Sequence, residues 1–380
     1  MAPADQVRLV AGCMTGTSLD ALDCALVRIV GRGLALRATL VRTVSRDLGE
    51  LRLPLRHFCD QQPMTASQIA SLAREFALLH ARTVQELTRE ERPDLVCVHG
   101  QTVFHAPPVS WQLMNPWPIV EALGTPVVFD LRGADLAAGG QGAPITPLAD
   151  AILFAGHAEL RPAFGVINLG GFANVTGVRF EPEKNTGVPS VRGFDICACN
   201  QLLNAIARAK LNAEYDRDGR IAQGGRISPE AASELGRALS AARESRRSLG
   251  TGDESMDWLR TTASSLNGPD LAATACDAIG RTIAEACRGF GHLVLAGGGV
   301  HNKALFASIA RHANALGSLS VRASDDFGVP AAFREAMEFA VLGALCQDRV
   351  PITLPEVTGV RPPAPLSGCW AYPTPTPPPP

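Results

Sequence analysis

Apolar positions along the chain follow two rhythms, one of strands and one of helices. Val7–Val10 is apolar except at Arg8 and β-branched at Val7 and Val10, Gly12–Ser18 is a turn of small residues, and Ala25–Val30 is apolar again except at Arg28. This predicts strand, tight turn, strand. Leu34–Val44 alternates loosely and extends the same sheet. From Thr65 the period changes. Ile69, Leu72, Phe76 and Leu79 recur at helical spacing, Arg74, Glu75 and Arg82 face elsewhere, and Thr65 or Ser67 supplies the cap. Short buried strands are predicted at Leu95–Val98, ending at His99-Gly100, and at Pro126–Phe129, ending at Asp130. After a Gly/Ala/Pro-rich loop, Gly133–Pro147, strand patterns return at Gly165–Leu169 and Ala173–Val178. Helical patterns cover Asn200–Ala209, Ala231–Arg243 and Leu271–Cys287. A strand at His292–Leu295 enters a helix from Asn302, and another helix spans Ala331–Leu345.

The length, 380 residues, exceeds what one small core organises and predicts two lobes. Hydrophobic residues make up 46% and charged residues 19%, with a formal net charge of -2 and no basic block, so neither nucleic acid nor an anionic membrane surface is indicated as a partner. No apolar stretch reaches membrane-spanning length. Ten scattered cysteines show no CxxC pair and no zinc spacing. Cys13, Cys24, Cys97 and Cys287 lie in apolar segments, where a thiol acts as a small hydrophobe. A reducing, cytoplasmic setting is the expectation.

Three glycine turns, each launched from a strand, carry the chemistry. The first runs Gly12-Cys13-Met14-Thr15-Gly16-Thr17-Ser18-Leu19-Asp20 between two strands. Its small residues admit an anion to the backbone N–H groups, and Asp20 and Asp23 are placed to hold magnesium-bound water. The second is Asn168-Leu169-Gly170-Gly171-Phe172-Ala173-Asn174, again between strands. The third is Ala296-Gly297-Gly298-Gly299-Val300-His301-Asn302, entering a helix. Three glycines in a row cost backbone entropy, which implies that something flat packs on them. No turn reads GxGxxG with an acidic residue about twenty positions on, so a dinucleotide-binding Rossmann unit fits poorly, and no Walker A pattern is present.

This order of turns resembles the actin/Hsp70/hexokinase superfamily, whose two hairpins clamp the phosphates of ATP while a later strand-GGG-helix holds the adenosine. Longer stretches resemble the anhydro-N-acetylmuramic acid kinase family from about Arg8 to Gly368. Met14–Asp23 resembles its MSGTSxDGxD, with Ala21 replacing a glycine, and His99–His105 its HGQTVxH. Asp130–Pro144 resembles DFRxxDxAAGGQGAP, Asn168–Asn174 NIGGIAN, and Tyr215–Gly219 YDxDG. Glu335–Ala340 resembles EAxxFA, and Leu354–Gly359 NLPxVTG. Gly193–Asn200 matches GFDTGPGN at Asp195 and Asn200, but Ile196-Cys197-Ala198-Cys199 replaces TGPG.

The resemblance implies an α/β fold of two RNase H-like, actin/hexokinase-type lobes with an ATP cleft between them. Lobe I is expected at 1–130 with a C-terminal return at about 346–370, lobe II at 131–345, and a Pro/Thr-rich tail at 371–380. The implied reaction is ATP-dependent hydrolytic opening of 1,6-anhydro-N-acetylmuramic acid with phosphorylation of O6, in peptidoglycan recycling, by a cytoplasmic homodimer. Asp195 is then the catalytic base. Gly16, Thr17, Ser18, Asp20, Asp23, Asn168, Gly170, Gly171, Asp218, Gly219, Gly297, Gly298, Gly299 and Asn302 fall on the ATP side. His99, Gly100, Gln101 and Arg132 fall on the sugar, and Glu335 on Mg2+ through water.

The bland readings stand beside these. Asp195 caps the following helix, Asp218-Gly219 is only a turn, and Arg132 pairs with Asp135 on the surface. Two other functions also remain open from the altered 196–199 loop: a kinase for another 1,6-anhydro sugar such as levoglucosan, and a catalytically silent nucleotide-binding regulator.

Overall fold

The computed structural model describes residues 7–16, 18–180, 189–244, 254–262, 264–317 and 320–374. Two compact units emerge, residues 1–156 with 333–380, and residues 157–332. The sequence placed these boundaries at 130 and 345. The difference has a packing cause in the helix Arg334–Gln347, which lies on the first unit's sheet. A methyl group on Gly12 would sit 2.0 Å from the Ala336 carbonyl oxygen and 2.4 Å from the Ala340 nitrogen, so only glycine lets strand and helix approach this closely.

In the first unit, β1 (Val7–Thr15), β2 (Ala21–Val30) and β3 (Arg37–Asp47) form an antiparallel meander. β4 (Leu95–Val98) lies parallel to β1, and its four residues are all buried, as expected for a strand covered on both faces. β5 (Gln101–Ala106) and β6 (Val109–Leu113) make a separate hairpin. β7 (Val127–Phe129) adds in parallel to β4, and the terminal strand Cys369–Ala371 pairs with β7. Ala371 thus belongs to the sheet, while 375–380 of the expected tail lie outside the described residues. The long helix is Ala66–Leu87. Thr65 caps it with a capping box, its hydroxyl accepting from Gln68 N at 3.3 Å while Gln68 Oε1 accepts from Thr65 N at 2.8 Å. Leu72, Phe76 and Leu79 of the predicted stripe enter the core with Leu22 and Val96.

The second unit repeats the plan. β8 (Ala163–Leu169), β9 (Phe172–Arg179) and β10 (Ser190–Ala198) run antiparallel in sequence, and β11 (His292–Ala296) and β12 (Ser320–Ala323) extend the sheet in parallel from β8. Numbering only the strands of each main sheet, the order is 3-2-1-4-5 in the second unit and 3-2-1-4-5-6 in the first, where Cys369–Ala371 adds the sixth strand; the shared 3-2-1-4-5 agrees with the RNase H-like lobes that the resemblance implied. The internal symmetry lies in topology and not in residues. Helices Gly268–Ala286 and Lys303–Ala315 cover this sheet, with Leu271, Ile279, Ile283, Leu305 and Ile309 in its core.

Candidate functional site

In the second unit the second and third glycine turns meet. β8 and β11 end side by side, Asn168 opposite Ala296. The Gly170-Gly171 turn receives the start of the helix Asn200–Ile206: Gly171 O accepts from Cys199 N at 2.9 Å and Gln201 N at 3.1 Å, and Gly170 O from Asn200 N at 3.1 Å. Asn200 Nδ2 donates to Leu169 O at 2.9 Å. These bonds occupy donors that a helix start leaves orphaned.

The glycines of the third turn divide by role. A methyl on Gly297 (φ 80°) would lie 2.6 Å from Asn168 Oδ1, and one on Gly299 2.7 Å from Leu169 Cβ. Both are glycine because the two turns are pressed together. Gly298 and Gly171 have nothing within 4 Å of such a methyl, so they are the positions open to a ligand. Gly219 (φ 65°) abuts Asn302, whose Oδ1 accepts from Leu305 N at 3.0 Å and so caps the helix Lys303–Ala315. Asn302 therefore carries a structural duty whatever else it does. Asp218 is itself left-handed (φ 56°) and pairs with Arg220 at 3.1 Å in solvent.

Asp195 does not cap the helix at Asn200. It lies within β10, and Cys199 holds the N-cap position without a side-chain bond. Asp195 is exposed and paired with Asn174, which is paired with Asn168. Directly opposed residues share a sheet face, so Asp195, Asn174 and Asn168 form one row across three strands. Asn174 was not among the expected site residues, although its place in the motif was the available signal.

The altered segment follows immediately. The ladder shifts register between Asp195 and Cys197, and Ile196, Cys197, Ala198 and Cys199 are all buried in the core of this unit. Among the described residues, left-handed φ outside glycine occurs at Leu19, Gln61, Asp130, Asn212, Asp218 and Arg349, and none of the four lies there. Replacing TGPG has thus exchanged backbone freedom for core packing without left-handed strain. Burial pushes the Cys199 thiol up to about 12, which makes it inert at neutral pH.

The first unit gathers side chains. The β1–β2 turn exposes Ser18 and Asp20, with Leu19 left-handed at φ 58°. Arg56 Nη2 donates to Ser18 O at 2.7 Å and Arg52 Nη2 to Asp20 O at 2.8 Å. Thr17 lies outside the described residues. The Thr15 hydroxyl, at the end of β1, is buried without a partner among the described residues, a feature the sequence did not flag. Burial raises Asp23, with Asp20 adding to the effect and a hydrogen bond to Ser45 opposing it. Glu335, in the first turn of its helix, is also raised, by burial first; Asp23 and Asp150 push the same way, and Arg334 and Arg132 push back.

His99 follows β4 and is buried against Phe339, ring centroids 4.8 Å apart. Arg132 Nε and Nη2 donate to His99 Nε2 at 3.3 and 3.1 Å, and Nη1 donates to Gly142 O at 2.7 Å. His99 is thereby an acceptor at Nε2. Burial, then the Arg132 charge, lower it to about 3, so it is neutral across the physiological range. Burial also lowers Arg132 to about 10. The surface pairing of Arg132 with Asp135 does not occur, because Asp135 is fully buried and bonds elsewhere. Gly100 (φ 76°) turns the chain into β5, where a methyl would meet Leu113 O at 2.9 Å. Gln101 Nε2 donates to Thr102 O at 3.2 Å, while its Oε1 is buried without a partner among the described residues. Such an oxygen lacks a hydrogen-bond donor among those residues.

Sequence reading also missed a buried charge cluster. Arg334 Nη1 lies 2.5 Å from Asp150 Oδ1 and 2.6 Å from Glu338 Oε1, with all three side chains at most 4% exposed. Burial pushes Glu338 well up, with Arg334 opposing and Asp150 adding to the rise. The only signal was three charges in otherwise apolar helices. Among the described residues no three His, Cys, Asp or Glu side chains are close enough to ligate a metal together, and no helix is long and apolar enough to cross a membrane.

These pieces are the motifs of one family, and a profile described as "Anhydro-N-acetylmuramic acid kinase" matches residues 8–372. The chain belongs to the anhydro-N-acetylmuramic acid kinase family. A relative of that name from Bordetella pertussis is 36% identical over 375 residues, covering 93% of each chain. Another from Streptomyces coelicolor is 35% identical, covering 93% of this chain and 91% of its own. Among solved structures, an activator of 2-hydroxyisocaproyl-CoA dehydratase from Clostridium difficile with bound ADPNP aligns at a TM-score of 0.43 and 11% identity, covering 88% and 94%. Within the GFDTGPGN segment of the anhydro-N-acetylmuramic acid kinase family pattern, this chain keeps Asp195 and Asn200 and rebuilds what lies between them.

Proposed function

We propose that this chain phosphorylates 1,6-anhydro-N-acetylmuramic acid, using ATP and water to give N-acetylmuramic acid 6-phosphate and ADP. The observation that carries the reading is Asp195, exposed on β10 in one row with Asn174 and Asn168, in a chain that matches the family from residue 8 to 372. Asp195 accepts a proton from the water that attacks the anomeric carbon; the bond from that carbon to O6 breaks, and O6 takes the γ-phosphoryl group. Asn168, Gly170, Gly171, Gly298 and the Asp218-Gly219 turn serve the nucleotide, as do Gly16, Thr17, Ser18, Asp20 and Asp23. Gly297, Gly299 and Asn302 support them.

His99, Gly100, Gln101 and Arg132 serve the sugar. Arg132 makes no ion pair within 4 Å among the described residues, and its only hydrogen-bond partners there are a neutral imidazole and a carbonyl. Such a cation favours a sugar bearing a carboxylate, as the lactyl group of a muramic acid does, over an uncharged anhydro sugar such as levoglucosan. Asp23 and Asp150 add negative charge around Glu335, and Asp20 does the same for Asp23, a gathering of carboxylates that fits a magnesium ion held through water and nucleotide phosphates. When bound, magnesium supplies charge stabilisation at the transferring phosphoryl group. Action in the cytoplasm as a homodimer belongs to the same reading and rests on the family resemblance.

The test is product formation. Incubated with ATP, Mg2+ and 1,6-anhydro-N-acetylmuramic acid, the protein yields a 6-phosphate and stoichiometric ADP. A 6-phosphate from levoglucosan alone would reassign the sugar, and tight ATP binding with no product from either sugar would leave a nucleotide-binding protein.

A further inference from the structure

We propose that Asp135 and Thr358 are positioning residues for the sugar, acting through Gly142 on Arg132; the inference rests on Arg132 contacting the sugar. Asp135 is fully buried, and its two oxygens are taken, one by the nearby Gly142 turn and one by the distant Thr358. Oδ2 accepts from Gly142 N at 2.7 Å, and Oδ1 accepts from the Thr358 hydroxyl at 2.8 Å. The Thr358 carbonyl in turn accepts from Gln141 N at 2.8 Å. The turn at Gly139–Gly142 is therefore gripped from two sides by residues far apart in the chain.

The glycines exist to allow this grip. A methyl on Gly140 would lie 2.1 Å from Asp135 Oδ2, and Gly142 needs φ 65° with its Cα 's open side against Leu136, where a methyl would come within 2.7 Å of Cγ. With its N–H fixed by Asp135, Gly142 presents its carbonyl to Arg132 Nη1 at 2.7 Å. His99 Nε2 fixes the other edge of the guanidinium. The carboxylate thus locates the guanidinium without neutralising it: no ion pair of Asp135 within 4 Å occurs among the described residues, and Asp135 reaches Arg132 by way of the Gly142 backbone. A direct Asp–Arg pair would have spent the charge that an anionic sugar needs.

The test separates positioning from folding. Thr358→Val removes one donor at nearly constant volume, and Thr358→Ser restores it; Asp135→Asn replaces an acceptor oxygen by an amide. We expect Thr358→Val and Asp135→Asn to raise KM for the anhydro sugar about tenfold, the size of one lost hydrogen bond to a charged group. KM for ATP stays within about twofold, and Thr358→Ser returns to within about twofold of the parent, a spread below that one-bond effect. A lowered thermal midpoint with unchanged sugar KM in both variants would make the clamp merely structural and overturn the proposal. Sugar and ATP KM rising together would overturn it too. If the unaltered protein forms no sugar phosphate, the kinase reading falls and takes this inference with it, whereas normal turnover with unchanged sugar KM in the variants removes the inference alone.

Discussion

The two units use one strand order for opposite purposes. In residues 157–332 the ends of β8 and β11 bring backbone to the surface, and the informative residues are glycines judged by what a methyl would strike. In residues 1–156 with 333–380 the segments after β4 and β7 and the helices Pro147–Phe154 and Arg334–Gln347 hold buried or half-buried ionisable side chains: His99, Arg132, Asp135, Asp150, Arg334 and Glu338. A backbone cradle suits a ligand read by its phosphates, because N–H groups carry no side-chain specificity. Fixed side chains suit a ligand that must be told from its relatives. Under the proposed function the same topology serves generic recognition in one unit and selective recognition in the other, and the two should fail in different ways when altered.

The largest expected effect falls on the one acidic side chain in the glycine-rich unit to which chemistry is assigned. Asp195→Asn should lower kcat by about 10²–10⁴-fold with KM for ATP little changed, the range for loss of a general base. Steady-state kinetics check this, and full turnover in the variant would remove Asp195 from the reaction. Next comes the charge cluster of the other unit. Arg334→Met leaves Asp150 buried without its cation and should destabilise the protein by about 3–5 kcal/mol. Adding Asp150→Asn should recover much of that loss. Denaturant unfolding decides, and a single variant as stable as the parent would mean the pair contributes nothing.

What the sequence disclosed divides along the same line. Glycine turns between strands are local and periodic, so the cradle's parts, the strand pairs and the Thr65 cap could be read directly. Asn200 and Asp195 were placed by a motif, and the motif survived the loss of its own centre. The buried cluster was not legible, because Asp150, Arg334 and Glu338 approach only after a helix of the C-terminal segment crosses β1, a contact 184 residues apart in the chain. The boundary shift to 156 and 333 has the same origin, since no local pattern reports which sheet a helix will cover. Gly297 and Gly298 also look alike in sequence. Only the approach of Asn168 separates them.

That separation gives the third prediction. Gly297→Ala meets Asn168 at 2.6 Å with a left-handed backbone and should cost about 1–3 kcal/mol of stability. Gly298→Ala meets nothing and should leave the thermal midpoint unchanged while raising KM for ATP. Calorimetry and kinetics on the pair test this together. A Gly298→Ala variant with lowered stability and unchanged KM would reverse the assignment of the two glycines.

The smallest effect is one of pH, and it separates the units by stability instead of activity. His80 and His99, both in the first unit, are lowered by burial to about 4 and about 3 from an ordinary 6.5. A histidine depressed in the folded state is neutral in both states above 6.5, so its burial is fully tolerated there. As pH falls below 6.5 the unfolded chain takes up a proton that the folded chain refuses, and stability drops by about 1.4 kcal/mol per pH unit for each such group. The loss continues until the folded histidine itself protonates, near 4 for His80 and near 3 for His99. His80 accounts for its share through the core alone, since its Nδ1 meets only the Phe76 carbonyl at 2.8 Å inside the helix Ala66–Leu87. In the second unit the carboxylate of Asp277 works over a lower range. Burial would raise it, but hydrogen bonds from His312 and Arg311 leave it below its usual value, so its contribution is present above the ordinary aspartate range and is lost only as pH falls through that lowered value. Asp23, Glu335 and Glu338 of the first unit, all raised, act with the opposite sign, and they act alike in the parent and in a His80→Gln variant. Between pH 6.5 and about 4.5 hydrogen exchange in Ala66–Leu87 should therefore accelerate more in the parent than in His80→Gln, with no such difference in β8 and β11. Equal acceleration in parent and variant would place the acid-sensitive groups elsewhere.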